Sequence, residues 1–159
     1  MGFQKTVNQY PAPAVEGDFA SANPRASVLP SAGVMVADTG GVTVGRFAWV
    51  DGDTVSNAGA GAPSGFIHRD HQALNFALLS EATMVIPEGY GVTVHNQGDF
   101  WARTTTIATV GQKVFASNTT GEVATGATGA TVAGFTETKW SVASAAAANE
   151  LIKISSWVL

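Results

Sequence analysis

The densest group of ionisable side chains is His68-Arg69-Asp70-His71. Two imidazoles flanking a carboxylate are the raw material of a His/Asp general-base pair or of part of a metal site. On a helix, positions i and i+3 share a face and could ligate one ion. A structural site needs about four ligands, and His95 is the one other imidazole in the chain. His-Arg-Asp also occurs in kinase catalytic loops, but no glycine loop, strand lysine or Asp-Phe-Gly accompanies it here. The simpler expectation is structural: Asp70 caps a helix, Arg69 pairs with a carboxylate, and the histidines pack or face solvent. On this reading the chain has no catalytic, cofactor-binding or metal-ligating residue.

Other chemistry-bearing patterns are weaker. The loop Gly59-Ala60-Gly61-Ala62-Pro63-Ser64-Gly65 lacks the lysine of a phosphate-binding loop. Ser64 is not in a Gly-x-Ser-x-Gly elbow. Asp51-Gly52-Asp53 lacks the bidentate glutamate of a calcium loop and reads as a turn. Asn118-Thr119-Thr120 has the form of a glycosylation sequon but reads as a hairpin turn. Trp49, Trp101, Trp140 and Trp157 all fall in expected strands. They suit core and interface anchors. Coplanar exposure of Trp49, Trp101 and Trp140 would instead suit a carbohydrate-binding β-sandwich module, the alternative reading.

Composition narrows the classes further. The chain has 159 residues, 13% of them charged, and a formal charge of −4. Soluble domains average about 25% charged residues, so Gly, Ala, Ser, Thr and Asn must form much of this surface. No basic patch exists for direct nucleic-acid binding, and no basic amphipathic stretch or long apolar run suits a membrane. The N-terminal residues lack the apolar core of a signal peptide. With no cysteines, thiolate catalysis, disulfides and Cys-ligated metals are excluded.

These side chains must be carried by β-structure. Runs such as 34–37, 42–50, 66–68, 83–86, 91–95, 100–106, 113–116, 135–142 and 151–158 are apolar, β-branched or aromatic. Turn signals separate them at intervals of roughly 8–12 residues. One short helix is expected over Asp70 to Ser80, where Leu74, Ala77 and Leu78 fall at i, i+3 and i+4. The fold class expected is all-β, a jelly-roll-like antiparallel sandwich or barrel. Few lysines and glutamates are available to blunt strand edges, so partner chains are expected to cover some of them. Gly41-Val42-Thr43-Val44 recurs as Gly91-Val92-Thr93-Val94, a short echo that a duplication or chance could produce.

Residues 1–30 differ in character. Pro11, Pro13, Pro24 and Pro30 exclude a helix through them. Phe3, Tyr10, Val15 and Phe19 are spaced along the stretch as anchors. It is expected to be an extended arm that orders on a neighbour, with residues 31–159 as a single β-rich domain.

Several segments, in order, resemble phage head-decoration proteins of the structural cement family. They include Gly17-Asp18-Phe19-Ala20-Ser21-Ala22-Asn23-Pro24-Arg25, Gly45-Arg46-Phe47-Ala48-Trp49-Val50 and Gly65-Phe66-Ile67-His68-Arg69. Met84-Val85-Ile86-Pro87-Glu88-Gly89, Gly98-Asp99-Phe100-Trp101 and Glu150-Leu151-Ile152-Lys153-Ile154-Ser155 continue the series. The resemblance implies a β-rich, jelly-roll-like domain on the outer surface of an assembled icosahedral capsid. It also implies host cytoplasm before assembly, the major capsid protein as partner, and a homodimer or homotrimer at local symmetry axes. No catalytic residue or cofactor carries over. Phe3, Tyr10, Phe19, Asn23 and Arg25 are the expected contacts to capsid or sister subunit. Glu122 to Gly134, rich in Ala, Thr and Gly, is expected to be a variable exposed loop.

Overall fold

The structure is a computed structural model that describes residues 14–69 and 83–157. The helix expected at 70–80 lies outside the described residues. Those residues contain strands and turns and no helix, and they form an all-β sandwich.

One sheet holds β1 (Ala26–Ser27), β8 (Val94–Gln97), β6 (Gly65–Ile67), β4 (Phe47–Asp51), β5 (Thr54–Ser56) and β2 (Val36–Ala37), in that order. Its neighbours are antiparallel except β2 and β5, which are parallel. The second sheet holds β11 (Val123–Gly126), β10 (Lys113–Ser117), β12 (Phe135–Val142), β13 (Leu151–Ser155) and β9 (Asp99–Arg103). A two-stranded ribbon joins β3 (Val42–Thr43) to β7 (Val85–Ile86).

Side chains alternate across a strand, so a strand between two layers must be apolar on both faces. β4 and β6 meet that demand. Ala48 and Ile67 enter one core with Met35, Val42, Val44, Val55, Ile86, Val92 and Val94. Phe47 and Phe66 enter the other, beside Phe100, Val114, Trp140, Ile152 and Ile154. Phe47, Phe66, Phe100 and Trp140 pack as tilted or edge-on rings with centroids 5.1 to 6.3 Å apart, the preferred aromatic geometry. The echoed segments deliver Val42 and Val44, and Val92 and Val94, to the same core.

Both sheets curl until their own chain covers an edge. Residues 90–92, leading toward β8, bond to the β2 region through Ala37 N–H to Tyr90 O (2.9 Å) and Val92 N–H to Met35 O (2.8 Å). Residues after β9 bond to β11: Thr104 bridges Val123, and Thr105 N–H donates to Val123 O at 2.8 Å. The hydroxyls of Thr106 and Thr125 lie 2.9 Å apart and continue this seam. At these two edges the cover comes from the chain itself.

Three local expectations need correction. The run 42–50 is two strands, broken at Gly45, whose φ of 74° and close approach to Glu16 need a residue without Cβ. β5 occupies 54–56, between two expected turns. Glu122 to Gly134 is not all exposed loop, because β11 lies within it with Val123, Ala124 and Thr125 buried. The sheets have six and five strands, an arrangement the jelly-roll expectation did not specify.

β6 and β8 approach so closely at Gly65 that any Cβ there would overlap the His95 carbonyl. Gly65→Ala is expected to cost about 1–3 kcal/mol, the usual range for overpacking. Gly91→Ala meets only Val34 at 3.4 Å and should stay within about 0.5 kcal/mol. Urea denaturation of both variants checks the contrast.

Candidate functional site

Residues 14–30 do not stand away from the body; they form a strap across it. Gly17 N–H donates to Trp101 O at 2.8 Å, Trp101 N–H to Asp18 O at 2.9 Å, and Ala20 N–H to Asp99 O at 2.9 Å. These bonds add the strap to the outer edge of β9. Arg69 N–H donates to Gly17 O at 2.9 Å on the other side. Side chains pin the same stretch, with Glu16 on Arg103 and Asp18 on Arg69, both at 2.9 Å. β1 then joins β8. Residues 15–28 are thus bonded to the body at several points.

Phe19 sits at the centre of the strap. Its ring stacks on His68 at 5.0 Å, meets His95 edge-on at 5.6 Å, and lies 5.3 Å from Phe100. The Arg25 guanidinium covers it 4.0 Å from the ring centroid, within cation–π range. Beneath Phe19, His95 Nε2 and His68 Nδ1 are 3.0 Å apart, and Ser27 Oγ is 3.3 Å from His95 Nδ1. His95 is 5% exposed. Burial, then His68 and Arg25, hold its pKa down to about 4, so the ring is neutral at ordinary pH.

Beside this socket, Ser21 Oγ and Asn23 Nδ2 each donate to Asp99 Oδ2 at 2.6 Å. Burial works to raise the Asp99 carboxyl, but hydrogen bonds from Ser155, Ser21 and Asn23 outweigh it and hold its pKa below the ordinary value. An open cleft runs past Ser21, Asn23, Asp99, Lys153 and Trp157.

The structure thus brings Phe19, Asn23 and Arg25 together on one strap, with Asn23 and Arg25 exposed. Phe3 and Tyr10 lie outside the described residues, as do Asp70 and His71. His68 pairs with His95, a partner 27 residues away, and Asn23 with Asp99, 76 residues away. No spacing in the sequence signals either pairing. Among the described residues no group of three or more His, Cys, Asp or Glu is placed to hold a metal.

The tryptophans share no exposed face. Gly59 lies so close on the Trp49 ring that a Cβ there would overlap it, and the indole N–H donates to Gly61 O at 3.1 Å. The Lys153 ammonium stands 5.1 Å over Trp101, and Trp140 is buried in the core. A carbohydrate platform on these three rings has no support in this geometry.

Against this all-β frame, the family model of the XM1 gp53 minor capsid protein matches residues 3–156. The chain belongs to the XM1 gp53 minor capsid protein family. As a member it is a capsid-associated structural protein of a phage. A solved chain from "The capsid of Myoviridae Phage XM1" shares the fold, with a TM-score of 0.68 and 18% identity over 98% of each chain. No curated protein matches the sequence.

Phe19→Ala empties the socket under Arg25 and is expected to lower stability by about 2 kcal/mol. That is less than the cost for a fully buried phenylalanine, because Phe19 is partly exposed. Leu29, 88% exposed, should tolerate alanine within about 0.5 kcal/mol. Thermal and urea denaturation of the pair checks both values.

Proposed function

We propose that this minor capsid protein is a cement protein. It binds the outer surface of an assembled phage head across capsomer joints and stabilises the shell against internal DNA pressure. The observation that carries this reading is the family match, which runs over nearly the whole chain. Its partners are the major capsid protein and sister subunits, as a homodimer or homotrimer at local symmetry axes, and it performs no reaction.

Physical features support the role. A binder that spans a joint adds contacts that must break before capsomers separate. Repeated engagement on a symmetric lattice makes modest individual contacts effective, because one oligomer binds at several points. The surface offers uncharged, apolar contact points: Ile107 and Val110 are 70% and 63% exposed. They lie near the Ala-rich stretch 145–148, which Ala108 and Ala146 tie to them by reciprocal backbone bonds of 3.0 and 3.2 Å. In the proposed contact, Phe3 and Tyr10 precede the strap, Asn23 and Arg25 lie on its exposed side, and Phe19 supports it from the socket.

Since residues 17–27 are built into the sheets, removing 1–30 would strip β9 and β8 of bonded neighbours and confuse binding with folding. Deletion of residues 1–13 separates the two. The truncated protein is expected to keep its thermal midpoint and to bind emptied heads at least about tenfold more weakly, a loss of about 1.4 kcal/mol. Co-sedimentation measures the binding; undiminished association of the truncated protein would overturn the role assigned to Phe3 and Tyr10. Full-length protein that leaves the heat or osmotic resistance of heads unchanged would overturn the cement reading itself.

A further inference from the structure

We propose that copies of this chain bind one another head to tail: a lysine-bearing face of the second sheet on one copy docks on an acidic, Trp49-lined cleft of the first sheet on the next. This deepens the sister-subunit part of the proposed function and rests on that reading. Strand alternation builds the lysine face. Val114, Trp140, Ile152 and Ile154 point into the aromatic core, so Lys113, Lys139, Ser141, Lys153 and Ser155 point outward. Lys113 stands opposite Ser141, Ser141 opposite Ser155, and Lys153 opposite Trp101. Lys113 Nζ lies 3.4 Å from both Lys139 O and Ser141 Oγ, and Lys153 Nζ lies 5.1 Å over the Trp101 ring. The face thus gathers every lysine among the described residues; Lys5 lies outside them. Asp99 and Glu137 share this face. Asp99 accepts from Ser21 and Asn23, and Glu137 accepts from Gly129 N–H at 2.7 Å. The ion pairs of Arg46, Arg69 and Arg103 with Glu122, Asp18 and Glu16 use arginines.

The acidic cleft is built on the far margin of the first sheet. Trp49 stands opposite Ser56 and Asp51 opposite Thr54 across β4 and β5. Asp38 follows β2, which pairs with β5, and its N–H donates to Val55 O at 3.0 Å. Asp38, Trp49, Asp51, Thr54 and Ser56 line one open cleft. Its carboxylates match the lysines in spacing. Asp38 and Asp51 stand two strands and one two-residue step apart, and so do Lys113 and Lys153. At about 4.8 Å per strand and about 6.7 Å per step, each pair spans about 12 Å between Cα positions. Both lysines of one copy can therefore reach both carboxylates of the next. An indole beside the carboxylates suits a lysine, whose stem packs on apolar surface and whose ammonium is drawn to an aromatic ring.

The symmetry follows from the two surfaces being different patches. Such a contact is heterologous, so it leads to a ring, such as a trimer, and not to a two-fold dimer. Exposed charge pairs set orientation and partner choice more than strength. Repeated engagement on a symmetric shell makes a weak contact of this kind effective.

Sedimentation equilibrium of the full chain at high protein concentration tests the contact. The wild type should self-associate, and the association should weaken at least about tenfold between about 0.05 M and about 0.5 M salt, as screening shortens the reach of surface charges. Lys113→Glu with Lys153→Glu should stay monomeric alone, and so should Asp38→Lys with Asp51→Lys. Mixed together, each altered surface meets its new complement, and association should return. Asp38 Oδ1 also accepts from Gly40 N–H at 3.1 Å. Asp38→Asn with Asp51→Asn keeps that acceptor and should weaken association at an unchanged thermal midpoint; it decides if the lysine substitutions there do not fold. A wild type that stays monomeric, or whose association ignores salt and all these substitutions, would overturn the contact. So would a mixture of folded variants that fails to associate. A monomeric wild type whose Lys113→Glu, Lys153→Glu variant loses only head binding would assign the lysine face to the capsid protein instead. The sedimentation measurement contains no heads, so a chain that self-associates as expected yet ignores heads would sink the cement reading and leave this contact standing.

Discussion

The fold depends on a strip of sheet that has no solvent side. β4 and β6 run between two cores, and their alternating side chains serve both. Ala48 and Ile67 face the aliphatic core, while Phe47 and Phe66 face the aromatic one. A one-residue slip in either strand would place bulky rings in the aliphatic core and aliphatic chains among the rings. Register is thus fixed from two directions at once. The tight approach of Gly65 to the His95 carbonyl is part of the same constraint, since β6 and β8 can close on each other only where a side chain is missing.

The strap is held by several weak devices acting on one short segment. Backbone bonds to β9, two partly exposed ion pairs and an aromatic socket coincide within residues 16–25. Surface ion pairs alone contribute little. They flank Phe19, whose ring adds burial and contacts with two imidazoles. The exposed side of the same segment presents Asn23 and Arg25, so the side chains that stiffen the strap from below set the shape it shows outward.

Much of the β framework was legible in the sequence, because short apolar runs bounded by Gly, Asp and Asn leave few alternatives. The misreadings have physical causes. Gly45 splits one apolar run because Glu16 passes close to it, a contact between residues far apart in the chain. β11 is built from Val123, Ala124, Thr125 and Gly126, small residues that resemble a loop by composition. They are small where Thr104 to Thr106 pack directly against them. The anchors near the N-terminus were visible as anchors, but sequence does not distinguish a partner in the same chain from one in another. Phe19 packs on His68, His95 and Phe100 of its own chain. The candidate site was legible in its strap residues and hidden in His95 and Asp99, which only the tertiary structure brings to them.

The self-sealing of the two sheets has a consequence for crowding. At high protein concentration, chains meet one another often. Open strand margins under those conditions invite runaway strand-to-strand growth. Here the Thr104–Thr106 seam, residues 90–92 and the strap occupy those margins with segments of the same molecule. At those margins another chain can therefore be met only side chain to side chain, and not by extending a sheet.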